Sequence, residues 1–222
     1  MEHHPQRELL EHYAAGSLPL AFALCVSVHL SFCPQCRAEV GALQNLGGLL
    51  FEKLEPVAVD AAALQSVWAK IDAAAAHGVA VAEPVTEAVP TATAAAASIP
   101  KPLRALLPGG YDGVRWSRLL PGLRAATLDV GDSEHVVALH RLQPGGKVPR
   151  HDHRGTEITI VLNGSFSDEY GVYRDGDFIV REPADVHQPL VARNEECICL
   201  AAQAAPVRFT QHFWRLLNPL LS

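Results

Sequence analysis

The chain has little positive charge. Its 222 residues include 18 lysines and arginines against 24 aspartates and glutamates, which gives a net charge of -6. Without an excess of basic residues there is no chain-wide positive field to attract phosphates, so direct binding of DNA or RNA is disfavoured. Proteins or small molecules are the expected partners.

The sequence also lacks a secretory signal and a membrane-spanning run. Its first residues contain neither a basic region nor an apolar core. The longest apolar run, residues 18–32, contains His29 and is shorter than the roughly 20 residues that a bilayer requires. We therefore expect a cytoplasmic protein that makes no contact with a membrane.

Cysteine is scarce, with five residues in the chain. An odd number of cysteines without an export signal argues against a disulfide framework and for metal binding or redox chemistry. Hydrophobic residues make up 49% of the chain and charged residues 19%, which is the balance of a folded protein and not of a disordered one.

The N-terminal third has the periodicity of helices. Apolar residues recur at three- and four-residue spacing within residues 7–76. Asp60 is a candidate cap for a fourth helix, which carries one apolar stripe that we expect to cover the bundle core. The stripe consists of Leu64, Trp68 and Ile71. We predict a small helical domain of about four helices over residues 1–78.

Residues 79–102 change to alanine, proline, valine and threonine with little periodicity, which is typical of a linker. Beyond them, short apolar runs are separated by turn residues, as in strands. The predicted strands cover residues 114–120, 125–130, 136–142, 158–162, 178–180 and 198–202. Asn163-Gly164 predicts a tight hairpin, because both residues tolerate positive φ. Strands without intervening helices predict a β-barrel or sandwich over residues 103–222.

A metal-binding pattern lies where the second helix gives way to the third. It has the spacing H-x3-C-x2-C and is formed by His29, Cys33 and Cys36. Such residues around two adjoining helix ends can converge on one ion, and imidazole with thiolates favours zinc. The lack of a βαβ pattern argues against a thioredoxin-like redox pair. A closed zinc site needs a fourth ligand. Three candidates for it remain open: His4, His3 and Cys25.

A second set of ligands lies in the C-terminal half. One stretch has the spacing G-x5-H-x-H-x3-E-x6-G, formed by Gly145, His151, His153, Glu157 and Gly164. Residues two apart on a strand face the same side, so the two histidines project together. This spacing resembles the first motif of the cupins.

The interval from Gly176 to His187 resembles that of the second cupin motif, although three nearby residues depart from it. The departures are Pro183, Asp185 and Val191. The resemblance implies a cupin β-barrel with one metal on His151, His153, Glu157 and His187. Three imidazoles and a carboxylate suit Zn, Fe, Ni, Cu or Mn, so the ligand set does not choose the metal.

The H-x3-C-x2-C pattern, together with an upstream histidine, Leu10 and the run Tyr13-Ala14-Ala15-Gly16, resembles the zinc-binding anti-sigma domain. Carried over residue by residue, this resemblance puts zinc on His4, His29, Cys33 and Cys36. Zinc domain and cupin motif together, across nearly the whole chain, are similar to the ChrR-type anti-sigma factors.

That resemblance implies a regulator with two zinc ions per chain and no enzymatic activity. Its helical domain would hold a sigma factor of the extracytoplasmic-function group away from RNA polymerase. Its cupin domain would release the sigma factor under oxidative signals such as singlet oxygen or organic hydroperoxide. Candidate residues for the sigma-binding apolar surface, several of which must instead be core, are Leu18, Phe22, Leu43, Leu46, Leu50 and Trp68.

Two other functions remain open at this point. A metal-dependent cupin enzyme of the dioxygenase type, with the helical domain used for interaction, requires a ligand-sized pocket and an open coordination position. A passive, metal-stabilised adaptor requires neither.

Cys197 and Cys199 alternate on a predicted strand, so their thiols face one side and are candidates for oxidation. We expect two small buried residues instead, because no basic neighbour favours a thiolate and Glu195 and Glu196 oppose it. The remaining histidines receive no role: His12, His77, His135, His140 and His212.

Overall fold

Helices come first along the chain and antiparallel strands follow. The computed structural model describes residues 1–60, 62–76, 99–204 and 208–209. His77, His212 and the predicted linker, apart from residues 99–102, lie outside the described residues. The chain divides into two compact units, one formed by Met1–Gly48 with Ala97–Ser222 and the other by Leu49–Ala96. The domain boundaries at residues 78 and 103 stay a prediction.

The four helices are α1 Arg7–Ala14, α2 Leu20–Phe32, α3 Pro34–Phe51 and α4 Ala63–Ala76. The chain turns after α1 at Gly16, whose φ of 69° is readily adopted only by glycine. Pro34 is tolerated as the first residue of α3, because the N–H at that position has no partner inside a helix. No helix in the described ranges is long and apolar enough to cross a membrane.

After one turn of 3₁₀ helix at Lys101–Leu103, the described residues form short and medium strands. They are β1 Ser117–Leu120, β2 Leu123–Leu128, β3 Val136–Leu142, β4 His151–Asp152, β5 Glu157–Asn163, β6 Ser165–Asp168, β7 Gly171–Arg174, β8 Phe178–Arg181, β9 Leu190–Val191, β10 Cys197–Gln203 and β11 Arg208–Phe209. A six-stranded sheet has the order β1-β2-β3-β10-β5-β8, a three-stranded sheet the order β7-β6-β9, and β4 pairs with β11.

The six predicted strands correspond to β1, β2, β3, β5, β8 and β10, with ends that differ by up to three residues. The other strands were not predicted. Strands of two to four residues contain too few positions for an alternating pattern to be read, and their pairing comes from neighbours distant in sequence.

The six-stranded sheet has an apolar core on each face. On one face, Leu139, Ile160 and Leu200 pack in a cluster with buried residues of the first three helices. On the other face, Val161 packs with residues of the three-stranded sheet, including Phe166. Because successive side chains of a strand point to opposite faces, neighbours such as Ile160 and Val161 serve different cores.

Helix α2 is apolar around most of its circumference, with the sequence LAFALCVSVHLSF. It contacts α1 on one side and strands β5 and β10 on another. Ala21, Cys25, Val26 and Val28 are all completely buried as a result. A helix that is covered on several sides needs apolar residues on each of them.

The predicted hairpin at Asn163-Gly164 is wrong. Strand β5 pairs with β10 and β8, whereas β6 pairs with β7 and β9, so the chain passes at Gly164 from one sheet to the other. Gly164 has a φ of 82°, and a Cβ atom there would lie 2.1 Å from the carbonyl oxygen of Glu196. The glycine is required by a close approach of two backbones and not by a two-residue turn.

The expectation that the α4 stripe covers a core is also wrong. Leu64, Trp68 and Ile71 are all more than half exposed in the unit Leu49–Ala96. The Asp60 Oδ1 accepts a hydrogen bond of 2.8 Å from the backbone N–H of Ala62, in the turn directly before α4. A periodic stripe shows which face of the helix is apolar, but it does not show whether that face packs against the same chain.

We predict that Gly164→Ala lowers the free energy of unfolding by about 3 kcal/mol or more, because both the positive φ and the contact with Glu196 oppose a Cβ atom. Urea denaturation measures the effect. Gly131→Ala is the matched control, with a φ of 76° and no atom within 4 Å of the added Cβ. It should cost about 1 kcal/mol, and an equal cost at both positions would contradict the close approach.

Candidate metal centres

Two groups of side chains bring their metal-binding atoms together. The first comprises His4, His29, Cys33 and Cys36, and the second comprises His151, His153 and His187. Within each group the ligand atoms all lie within 4.8 Å of one another. The sequence-predicted ligands therefore converge as expected, apart from Glu157.

The first group joins three parts of the chain. His4 lies on the N-terminal arm, His29 in the last turn of α2, and Cys33 and Cys36 around the start of α3. His4 Nδ1 lies 3.4 Å from Cys33 Sγ and 3.5 Å from Cys36 Sγ, and His29 Nε2 lies 3.4 Å from Cys36 Sγ.

These separations fit zinc. With Zn–S bonds of roughly 2.3 Å and Zn–N bonds of roughly 2.0 Å, tetrahedral nitrogen and sulfur ligands lie about 3.5 Å apart. Two imidazoles and two thiols also form a closed set of the kind that structural zinc sites use. The group thus has the composition, spacing and burial of a structural zinc site.

A backbone carbonyl outside the helices sets the orientation of His29. Its Nδ1 lies 2.7 Å from the oxygen of Gly176, which can only accept, so Nδ1 donates and Nε2 keeps its lone pair for a metal. Burial and the neighbouring Cys33 thiol raise the pKa of the Cys36 thiol to about 12. A bound cation would reverse this preference by favouring thiolates.

The other two candidates for the fourth ligand lie outside this group. The His3 ring packs against Tyr173, with 4.8 Å between ring centroids, and its backbone oxygen accepts a hydrogen bond from the Phe178 N–H. Cys25 is completely buried in the apolar cluster, where burial raises the pKa of its thiol. Of the three candidates, only His4 lies in the group.

The second group is built on two paired segments. His151, in β4, and His187 exchange two backbone hydrogen bonds of 3.1 Å, which holds their side chains next to each other. His153 follows two residues after His151, on the same side. The Nε2 of His187 lies 3.1 Å from that of His151 and 3.0 Å from that of His153.

The hydrogen bonds made by these imidazoles favour a cation between them. His151 Nδ1 donates to the oxygen of Pro149, and His187 Nδ1 donates to the carboxylate of Asp168. Both Nε2 atoms then present lone pairs to each other, which repel unless a cation lies between them. Burial lowers the pKa of His151 to about 4 and that of His153 to about 3, which favours the neutral form of both imidazoles at neutral pH. A metal ion bound to all three Nε2 atoms does fit.

Glu157 lies beside the three histidines but not among them. Its Oε2 is 3.6 Å from His153 Nδ1, on the side of that ring away from His187, and its Oε1 accepts a hydrogen bond from Thr159. Burial raises the pKa of Glu157. The structure therefore brings three of the four predicted ligands together, and Glu157 as the fourth ligand stays a prediction.

Sequence reasoning missed the residues that hold His187. Asp168 Oδ2 accepts hydrogen bonds from His187 Nδ1 at 2.8 Å and from the Arg181 guanidinium at 2.7 Å. Burial alone would raise the pKa of Asp168, but these hydrogen bonds hold it well below its ordinary value. Asp168 precedes His187 by 19 residues, on a different strand, so no short motif could have linked the two.

Cys197 and Cys199 are buried side by side on β10, with 3.6 Å between their sulfur atoms. The hydrogen bond with Cys197, followed by burial, raises the pKa of Cys199. Such surroundings disfavour a thiolate. A redox role for this pair stays a prediction.

The residues predicted to bind a sigma factor fall into two sets. Leu18, Phe22 and Leu43 are partly buried against the apolar cluster of the helices and sheet. The Phe22 ring contacts His135, with 4.7 Å between ring centroids, so that histidine belongs to the packing between α2 and the sheet domain. The other set, Leu46, Leu50 and Trp68, is more than half exposed.

Comparison with known proteins agrees with this architecture. A family model described as the ChrR cupin-like domain matches residues 110–206. The anti-sigma-E factor ChrR of Cereibacter sphaeroides is 39% identical over 219 residues, which cover 99% of this chain and 97% of that protein. The crystal structure of Rhodobacter sphaeroides SigE in complex with the anti-sigma ChrR is similar, with a TM-score of 0.74, 37% identity, and coverage of 91% of this chain and 98% of that chain. The predicted order of helices followed by a cupin-like domain is confirmed.

We predict that His4→Ala weakens zinc binding at the first group by at least about 100-fold, because the closed set loses one of its four ligands. Zinc stoichiometry and competition with a chelator measure the effect on the full chain. His3→Ala and Cys25→Ala are the controls and should leave this affinity unchanged. A loss in His3→Ala as large as that in His4→Ala would contradict the arrangement.

Proposed function

Because the chain belongs to the ChrR family of anti-sigma factors, we propose that it binds a sigma factor of the extracytoplasmic-function group and keeps it from RNA polymerase. Membership of this family makes the chain a regulatory protein, so the enzymatic alternative is set aside. The proposal is carried by the similarity across both the helices and the cupin-like domain to a protein solved in complex with SigE.

An exposed apolar surface supports binding of a protein partner. In the unit Leu49–Ala96, large apolar side chains at the end of α3 and just beyond it are each more than half exposed. They are Leu49, Leu50, Phe51, Leu54, Val57 and Val59. Large exposed apolar side chains that are close together in the sequence are candidates for a protein-binding site. We propose that this segment contacts the sigma factor, and Leu46 and Trp68, each more than half exposed, are further candidates for such a contact.

In this proposal the first metal centre has a structural role. Zinc on His4, His29, Cys33 and Cys36 would fix the corner between α2 and α3 and anchor the N-terminal arm to it. A structural zinc site contributes directly to folding, since its ligands are brought together only in the folded chain. The sigma-binding end of α3 would then extend from a rigid corner.

The second metal centre is proposed to respond to the signal. Three buried imidazoles would hold a metal, whose identity their chemistry does not select, in the domain against which α2 packs. Oxidants such as singlet oxygen or an organic hydroperoxide would alter this centre, and the cupin-like domain would then release the sigma factor. Acting through a sigma factor, the protein would need no direct contact with nucleic acid and would work in the cytoplasm.

We predict that Leu50→Glu weakens sigma binding at least about tenfold, because a charge at an apolar contact loses the burial and adds a desolvation penalty. Leu46→Glu should have an effect of the same sign. Isothermal titration with the cognate sigma factor provides the measurement. Leu119→Glu changes another half-exposed leucine, on β1, and should leave the affinity unchanged; equal losses at both surfaces would count against the proposed contact.

We predict that His187→Ala preserves sigma binding and impairs release, because it removes one of the three imidazoles and leaves the α3 surface unchanged. The measurement is dissociation of the purified complex after exposure to singlet oxygen or an organic hydroperoxide. Release at the rate of the unaltered protein would argue against signal response at this centre. Loss of binding would argue against the division of tasks between the two parts of the chain.

A further inference from the structure

Strand β8 and the turn before it lie between the two metal centres. The turn contains Gly176 and Asp177, and the strand runs from Phe178 to Arg181. The two ends of this short segment contact different ligand groups.

At the first end, the segment contacts His29 of the four-ligand group and the residues directly before His4. Gly176 accepts the hydrogen bond of 2.7 Å from His29 Nδ1. The Phe178 N–H donates to the carbonyl of His3, directly before His4, at 3.0 Å. Asp177 Oδ1 accepts from the backbone N–H groups of Glu2 and His3, at 2.8 Å and 3.2 Å.

The packing at this end is tight. Gly176 has a φ of 83°, and a Cβ atom there would lie 2.7 Å from Phe32 Cβ and 2.8 Å from Met1 Cε. The ring of Phe178 packs edge-on against the ring of His29, with 5.6 Å between centroids. A displacement of the segment would therefore be transmitted to α2 and to the N-terminal arm.

At the second end, Arg181 contacts the support of the three-histidine group. Its guanidinium donates to Asp168 Oδ2 and to the Tyr173 hydroxyl, each at 2.7 Å. The same Asp168 oxygen accepts the hydrogen bond from His187 Nδ1. Arg181 is also the cross-strand partner of Glu157 on β5.

The segment between these ends is short and well supported. A strand rises about 3.3 Å per residue, so Gly176 and Arg181 are separated by roughly 17 Å along the chain. Strand β8 is paired with β5 along its whole length. Phe178 and Ile179 are buried in the cores on opposite faces of the sheet. A paired strand with both faces packed moves as a unit.

We propose that β8 and its preceding turn couple the two metal centres, so that occupancy of the three-histidine centre slows loss of metal from the four-ligand centre. The proposal rests on the proposed function, in which both groups bind metal. Because the slower loss corresponds to tighter binding, the coupling is reciprocal, and metal at the four-ligand centre also strengthens binding at the three-histidine centre.

The test uses the full chain loaded with Co²⁺ and challenged with a chelator. Only the four-ligand centre contains cysteines, so loss of the thiolate-to-cobalt charge-transfer band reports on that centre alone. We expect release to be at least about fivefold faster in His187→Ala than in the unaltered protein. Rates that agree within twofold would overturn the proposal.

Two further variants test the route. Arg181→Met leaves all proposed ligands in place and should accelerate release as His187→Ala does; an unchanged rate would exclude β8 as the link. In a chain carrying Gly176→Ala, the rate of cobalt release should be the same with His187 and with His187→Ala. Gly131→Ala is the control, with a similar φ and open surroundings, and should leave the difference between these two release rates unchanged. If Gly176→Ala does not fold, Asp177→Ala replaces it. This substitution removes two hydrogen bonds to the N-terminal arm, and the same result is expected.

Sigma binding is measured on the same proteins by titration. Absence of coupling in a chain that still binds and releases the sigma factor rejects the link and leaves the proposed function intact. Coupling in a chain that binds no sigma factor rejects the proposed function and leaves the link intact.

Discussion

The hydrogen bond from His29 Nδ1 to the carbonyl of Gly176 is the contact on which much of the arrangement depends. It satisfies a buried carbonyl, fixes the ring orientation of His29, and leaves Nε2 directed at Cys36. If this bond were absent, the buried carbonyl or the buried imidazole N–H would be unpaired, at a cost of about 1–3 kcal/mol in stability. The same bond therefore stabilises the packing of α2 on the sheet and prepares one ligand of the metal centre.

The cupin-like sheet explains why α2 has so few polar residues. One face of the six-stranded sheet packs against the three-stranded sheet, and the other would be exposed without the helices. Burial of one large aliphatic side chain contributes about 1.5–3 kcal/mol to stability, so packing of a helix over residues such as Ile160 and Leu200 is strongly favoured. Helix α2 packs there, which is why the first 48 residues form one compact unit with the sheets.

Exposure separates the apolar residues of the helices into two sets more clearly than their sequence pattern does. Phe22 and Leu50 are both predicted candidates for the sigma-binding surface, yet Phe22 is partly buried against the apolar cluster of the helices and sheet, whereas Leu50 is more than half exposed. Periodicity records only that a face is apolar. Whether that face packs against the same chain or against a partner depends on which other elements lie nearby. For α4, the prediction that its apolar stripe covers the bundle core was wrong.

The sequence by itself determined the features that depend on local spacing. The groups H-x3-C-x2-C and H-x-H converge because helix ends and strand alternation place residues a few positions apart on one side, and the helix-then-strand order follows from periodicity. Only the tertiary structure brought His4, and not His3 or Cys25, to the first group, placed Asp168 beside His187, put Glu157 next to His153 but outside the group of three histidines, and made Gly164 the point where the chain passes from one sheet to the other. These outcomes depend on strand register and on contacts between residues far apart in the chain, where small differences in packing energy, and not local conformational preference, determine which side chains meet.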